Sequence, residues 1–138
     1  MQLHRNEKVE RIRRVSLFAR LSKQGLNEVA SLADETELPE ATQLTREGER
    51  GREFFVLLDG SVEVRKEGRW IATLGSGDFL GEIALLAKVP RTATVTAVSP
   101  VRALVINDRD FRTLLRRWPA ITVRIAEAFG RRSRAELS

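Results

Sequence analysis

The chain has 138 residues, 42% hydrophobic and 31% charged, a length that fits one domain with one core. It has no cysteine and one histidine, His4, which excludes a disulfide framework, a thiol nucleophile and Cys-based or His-rich metal centres. Its net charge is +5, with the basic excess at the two ends. Because it lacks both a long apolar run and a secretory signal, we expect a cytoplasmic protein without a transmembrane segment.

The first 35 residues are predicted to be helical. Val9, Ile12 and Leu17 recur near helical spacing, and Phe18 follows. Ser22 is a suitable N-cap for a second, short helix, because its hydroxyl can accept an N–H of the first turn. We therefore predict two helical segments before the change of period near Pro39.

Residues 36–106 are predicted to form β-strands. Short apolar or alternating runs are separated by turn residues every 8–12 positions, a pattern typical of an antiparallel sandwich, jelly roll or small barrel. Asp59-Gly60 is the strongest short hairpin signal, and Glu67-Gly68 is a second turn. The prediction is a mainly β, jelly-roll-like fold of about eight strands, an antiparallel β-roll flanked by helices.

Residues 107–138 return to helical spacing, and two helices are predicted there. Asn107 or Asp108 can cap the first, and Pro119 is suited to the first position of the second. On the last helix an apolar stripe could pack onto the β-roll or support a homodimer; it comprises Ile121, Ile125, Ala128 and Phe129.

Residues 77–93 (GDFLGEIALLAKVPRTA) combine three features that suit an anion site. Gly81 precedes a short run with good helix-forming composition, whose first N–H groups are free to face an anion. Arg91 lies nine residues after Glu82 and could clamp a phosphate in bidentate fashion. Glu82 would repel a phosphate but could accept hydrogen bonds from sugar hydroxyls. An ion pair between Glu82 and Arg91 across the loop is the alternative.

These motifs resemble the cyclic nucleotide-binding domain family. Residues 81–85 (GEIAL) followed by residues 90–95 (PRTATV) look like its phosphate-binding cassette, and residues 48–64 look like its glycine turn and LxGxVxV hairpin. The resemblance covers about residues 10–135. It implies a single domain over residues 1–138, with N-terminal helices in 1–35, a β-roll in 36–106 containing the cassette at 77–93, and hinge and lid helices in 107–138.

The resemblance also implies roles for individual residues. Glu82 would hold the ribose 2′-hydroxyl and Arg91 would neutralise the cyclic phosphate. Thr92 would offer its hydroxyl to the phosphate or the base, and Arg132, with Arg131 as the alternative, would close over the base as a lid. The remaining expected contacts are the N–H groups of Ile83, Ala84 and Ala93 beside Gly81, and an apolar wall of Val64, Leu74 and Ile83.

The expected function is that of a cyclic nucleotide sensor. Cyclic AMP is the preferred ligand, cyclic GMP is the alternative, and no metal is needed. Binding would rearrange the C-terminal helices from a hinge at Asn107 and signal to an unidentified effector protein or fused domain. An enzyme is not expected, because the residues needed for Ser/His/Asp or Cys/His catalysis are missing.

Two other functions remain open at this stage. One is a degenerate domain of the same fold that acts as a protein-interaction scaffold without binding nucleotide. The other is direct contact of the basic helices with nucleic acid, which would give a steep salt dependence of binding. No DNA-binding domain is expected, because the sequence ends at Ser138 without room for a helix-turn-helix after the last helix.

Overall fold

A computed structural model describes the backbone of residues 2–137 and the side chains of residues 6–130. The chain divides into two units, a β unit (Ala33–Phe111) and a helical unit (Met1–Leu32 with Arg112–Ser138). The elements in chain order are α1 (Gln2–Arg13), a 3-10 turn (Ser16–Phe18), α2 (Lys23–Leu32), β1 (Asp34–Leu38), β2 (Gln43–Thr45), β3 (Glu53–Asp59), β4 (Val62–Lys66), β5 (Arg69–Leu74), β6 (Phe79–Leu80), α3 (Glu82–Ala87), β7 (Thr94–Ala97), β8 (Val101–Asn107), α4 (Asp108–Arg117) and α5 (Pro119–Leu137).

The strands of the β unit form two antiparallel four-stranded sheets. The strand order is β1-β8-β3-β6 in the first sheet and β2-β7-β4-β5 in the second. Side chains from both sheets meet in one buried apolar cluster, which comprises Phe55, Leu57, Val62, Leu80, Val95, Ala97, Val101 and Ala103. This confirms the predicted mainly β fold of eight antiparallel strands with flanking helices.

Strand β3 explains why the hairpin predicted at Asp59-Gly60 was wrong. Its run from Phe54 to Leu57 is buried on both faces: Phe55 joins the cluster between the sheets, while Phe54 stacks on Phe111 of α4 with ring centroids 4.4 Å apart. Both edges of β3 are occupied, by β8 and β6, so the strand after Asp59-Gly60 has no free edge to join. That turn therefore carries the chain into the other sheet, and β3 and β4 form no hairpin.

The second predicted turn does close a hairpin. Lys66 pairs with Arg69 across β4 and β5, which leaves Glu67 and Gly68 as a two-residue loop. Both have positive φ, 52° and 77°, as a type I′ turn requires.

The predicted helix caps are also confirmed. The Ser22 hydroxyl accepts the N–H of Gly25 at 3.3 Å, at the start of α2. At the start of α4, Asn107 Oδ1 accepts the N–H of Asp110 at 2.8 Å, and Asn107 Nδ2 donates to the Asp110 carboxylate at 3.0 Å. Pro119 is the first residue of α5, a position at which a backbone N–H would have no hydrogen-bond partner within the helix.

Within the helical unit, Glu28 of α2 fastens the junction of α4 and α5. Its carboxylate accepts the indole N–H of Trp118 and pairs with Arg117 at 3.1 Å. Three members of the predicted stripe on α5, Ile121, Ile125 and Ala128, are buried, whereas Phe129 is 51% exposed. A homodimer through this helix stays a prediction. Among the described residues, no helix combines the length and apolarity needed to cross a bilayer.

Gly60 can be used to test the packing of the turn at which the chain crosses from the first sheet to the second. It has φ +90°, and an added Cβ would lie 2.2 Å from the carbonyl oxygen of Pro100. We expect Gly60→Ala to lower the free energy of unfolding by about 3 kcal/mol or more, because steric overlap adds to the strain of positive φ. Urea unfolding measures the loss. The matched control is Gly68→Ala, also at positive φ but with no atom within 4 Å, where a loss of about 1 kcal/mol is expected. Equal losses in the two variants would contradict the packing described for the turn.

Candidate functional site

The predicted short helix of the anion site is present as α3, and Gly81 is its N-cap. Gly81 has φ +98°, and an added Cβ would meet both Arg91 Nη1 and the Glu53 carbonyl oxygen at 2.8 Å. Glycine is therefore required here for two reasons, the left-handed backbone and the close approach of Arg91. The helix ends at Ala87, and its C-cap Lys88 also has positive φ.

Arg91 is the central residue of the site. It is only 7% exposed, unusual for an arginine. Its Nη1 donates to the Gly81 carbonyl at 3.2 Å and its Nη2 donates to the Glu53 carbonyl at 2.7 Å. The guanidinium thus bridges the start of β3 and the start of α3.

Burial lowers the pKa of Arg91, and the carboxylates of Glu53 and Glu82 raise it again in part. An arginine keeps its proton at physiological pH despite such a shift. The lowered pKa means that its surroundings do not fully replace the hydration that the cation has lost. The site therefore holds a positive charge that an anion would stabilise.

Glu82, the first residue of α3, is 5% exposed and acts on Arg91 through the electrostatic field. Within residues 6–130, the hydrogen bonds of the Arg91 guanidinium go to backbone carbonyls. The electrostatic attraction between Glu82 and Arg91 acts alongside these two hydrogen bonds, which fix the orientation of the guanidinium.

The other cassette residues lie next to these two. Ile83 is 36% exposed, Ala84 is buried, Thr92 is exposed and Ala93 is half-buried. The Ala93 carbonyl accepts the hydroxyl of the buried Thr45 at 2.9 Å, which fixes the segment after Arg91 to β2. Residues 91–93 are loop, and β7 begins at Thr94.

The two residues expected to form an apolar wall with Ile83 lie on adjacent strands. Val64 of β4 and Leu74 of β5 are half-buried and pack against the core cluster, which includes Leu80, the neighbour of Gly81 in the chain. Core packing is thus their observed role, and contact with a ligand stays a prediction. The predicted lid residues Arg131 and Arg132 lie outside the described side chains.

Sequence reasoning missed the part of the site formed by residues 46–53. The hydrogen bond that Arg91 donates to Glu53 goes to the backbone carbonyl, which no side-chain pattern can reveal. Gly48 and Gly51 lie within this segment, and two glycines among charged residues just before a buried strand were the available signal.

Comparison with known proteins identifies the family. Residues 35–117, which include the whole of the cassette, match the family described as cyclic nucleotide-binding domain. The chain belongs to the cyclic nucleotide-binding domain family. Such a domain is regulatory rather than catalytic, and the resemblance inferred from the cassette is confirmed.

Two relatives and one solved structure illustrate the similarity of this cyclic nucleotide-binding domain. A cAMP-dependent protein kinase regulatory subunit of Mycosarcoma maydis is 38% identical over 113 residues, 73% of this chain and 21% of the relative. A cGMP-dependent protein kinase of Caenorhabditis briggsae is 36% identical over 109 residues, 74% of this chain and 15% of the relative. A structure of PKAR CBD2 bound to Sp-2Cl-cAMPS superposes with a TM-score of 0.82 at 26% identity, covering 95% of this chain and 90% of that one. The domain thus spans about a quarter or less of these curated relatives.

Proposed function

We propose that this domain is a cyclic AMP sensor in which Arg91 binds the cyclic phosphate and Glu82 binds the ribose. The observation that carries the proposal is the buried guanidinium of Arg91, held between the carbonyls of Gly81 and Glu53 beside the buried carboxylate of Glu82. A cation and a carboxylate at one turn match a ligand that carries both an anionic phosphate and a hydroxyl-bearing sugar.

The phosphate is assigned to Arg91 on electrostatic grounds. Two N–H groups of the guanidinium donate to carbonyls, which orients the fork and leaves its other N–H groups as donors for phosphate oxygens. A phosphate would supply the stabilisation that burial removes from the cation. The backbone N–H groups of Ile83, Ala84 and Ala93 would complete the binding of the anion.

The ribose is assigned to Glu82 because a carboxylate accepts hydrogen bonds but repels phosphate. A 2′-hydroxyl can donate to it. Thr92 is exposed next to Arg91, where its hydroxyl could reach the phosphate or the base. Val64, Leu74 and Ile83 would form the apolar wall, and Arg132 or Arg131 would stack on the base.

Cyclic AMP is preferred to cyclic GMP in this proposal. Support comes from the cAMP-dependent kinase regulatory subunit and from the domain bound to a cyclic AMP analogue. Similarity to a cGMP-dependent kinase keeps cyclic GMP as the alternative. We further propose that residues 1–138 act as one cytoplasmic module whose C-terminal helices rearrange on binding. The signal would pass to an effector, either a separate protein or a fused domain.

The first test is isothermal titration with cyclic AMP and cyclic GMP. The wild-type chain should bind cyclic AMP more tightly, and Arg91→Ala should weaken binding by about 2–5 kcal/mol, about thirtyfold or more, because a buried charge-assisted contact is lost. Arg102→Ala is the matched control, since Arg102 is an exposed arginine of the same unit that pairs with Glu37. Wild-type protein that binds neither nucleotide would refute the proposal and favour the scaffold function.

A second test separates the ribose from the phosphate. Glu82→Gln should weaken cyclic AMP binding about tenfold, because a charged acceptor becomes a neutral amide. The same substitution should leave the affinity for 2′-deoxy-cyclic AMP nearly unchanged, since that ligand lacks the hydroxyl. Titration of both ligands into both proteins gives the comparison. An equal loss for the two ligands would assign Glu82 a structural role only.

The proposed rearrangement can be followed with spin labels, because the chain has no native cysteine. Lys66→Cys on β4 and Thr122→Cys on α5 are both exposed positions for a label pair. Saturating cyclic AMP should shift the distance distribution measured by electron paramagnetic resonance. At the lowest cyclic AMP concentration that saturates the labelled wild type, the shift should be strongly reduced when Arg91→Ala is added. An unchanged distribution in protein shown by titration to bind would rule out switching between these two positions.

A further inference from the structure

The loop between β2 and β3, residues 46–52, lies directly against the cassette arginine. The backbone N–H of Arg91 donates to the Glu49 carbonyl at 2.7 Å, and the N–H of Gly48 donates to the Arg91 carbonyl at 2.9 Å. Arg50 and Pro90 form an isolated antiparallel bridge beside them. The backbone of Arg91 is therefore held by the loop in the manner of a short two-stranded ladder.

Gly51 is the point at which this loop meets the guanidinium itself. A Cβ added at Gly51 would lie 2.7 Å from the Cβ of Ala84 and 3.1 Å from both Cζ and Nε of Arg91. Unlike Gly48 and Gly81, Gly51 does not have positive φ, so a left-handed backbone is not the reason for glycine here. The close approach of Ala84 and Arg91 is the observed reason.

Two glycines thus leave room for the arginine. Gly81 approaches Arg91 Nη1, and Gly51 approaches Arg91 Cζ and Nε. A Cβ at Gly81 would overlap Nη1, and a Cβ at Gly51 would push Cζ and Nε by a few tenths of an ångström, so either would shift the guanidinium relative to the carbonyls to which it donates. Only at Gly51 is this steric effect separate from backbone strain.

We propose that Gly51 is a positioning residue of the phosphate site: it leaves the space that fixes the Arg91 guanidinium in the orientation needed for a cyclic phosphate. This inference rests on the proposed function and deepens it. Gly51 itself does not bind the ligand in this scheme. Its contribution to affinity is exerted wholly through Arg91.

The test separates the two neighbours that a Cβ at Gly51 would meet, Ala84 and Arg91. The variants are Gly51→Ala, Ala84→Gly and the two combined, and each is measured for its thermal midpoint and for its affinity for cyclic AMP. Gly51→Ala should lose both stability and affinity. Adding Ala84→Gly removes the 2.7 Å overlap but keeps the 3.1 Å contacts with Arg91. The combined variant should therefore regain the midpoint of Ala84→Gly alone, while its affinity stays about tenfold or more below that of Ala84→Gly.

Gly75→Ala is the matched control. Gly75 also lacks positive φ, and its added Cβ would meet only the Gly60 carbonyl oxygen, at an ordinary 3.9 Å. The affinity of Gly75→Ala for cyclic AMP should equal that of the wild type. If the combined variant recovers affinity together with stability, Gly51 is only a packing position and the inference is overturned. Wild-type affinity in Gly51→Ala would overturn it as well.

Failure of the proposed function would be recognised separately, because the wild-type chain would then bind neither cyclic nucleotide. The position of the guanidinium can still be tested in that case. The Nε–Hε nuclear magnetic resonance signal of Arg91 should shift in Gly51→Ala, and in the combined variant, but not in Gly75→Ala. An unshifted signal in both Gly51 variants would overturn the positioning inference independently of any ligand.

Discussion

The site depends on one constraint, which is that the cation of Arg91 must be kept charged and oriented inside the protein. Burial of a charge is unfavourable unless polar groups replace its hydration. Two backbone carbonyls and the carboxylates of Glu53 and Glu82 replace part of that hydration. The pKa of Arg91 is still lowered, because the replacement is incomplete. The guanidinium is therefore oriented by neutral carbonyl groups and keeps a charge that an anion would stabilise.

The register of the first sheet brings these groups together. Pairing of Phe55 with Leu80 and of Val56 with Phe79 runs antiparallel, so the residue after Leu80 falls beside the first residues of β3. Gly81 accordingly lies next to Glu53, and the guanidinium can reach both carbonyls at once. Because β8 pairs with the other edge of β3, the Glu53 carbonyl is positioned by a central strand rather than by a free loop. A shift of one residue in the β3–β6 pairing would separate the two carbonyls.

Much of this could be predicted from the sequence, and the failures have physical causes. The α3 helix, the caps Ser22 and Asn107 and the Glu67-Gly68 turn follow from local chemistry and were predicted correctly. β2 and β6 are too short for a periodic pattern, and β1 is mostly polar. The hairpin prediction at Asp59-Gly60 failed because strand pairing depends on which strand edges are occupied, and that is a long-range property of the fold. The role of the Glu53 carbonyl could not be predicted from the sequence, because every residue has a backbone carbonyl.

The same short segment that orients Arg91 also holds the start of α4. Glu53 accepts from the guanidinium, the preceding Arg52 carbonyl accepts the N–H of Asp108 at 2.9 Å, and the following Phe54 stacks on Phe111. After Phe111, the residues of α4 belong to the helical unit. A change at the Glu53 carbonyl therefore acts on a backbone segment whose two neighbours anchor the first turn of that helix. A ligand that displaced Glu53 through Arg91 would therefore also affect Asp108 and Phe111, which belong to the first turn of the segment whose rearrangement is proposed.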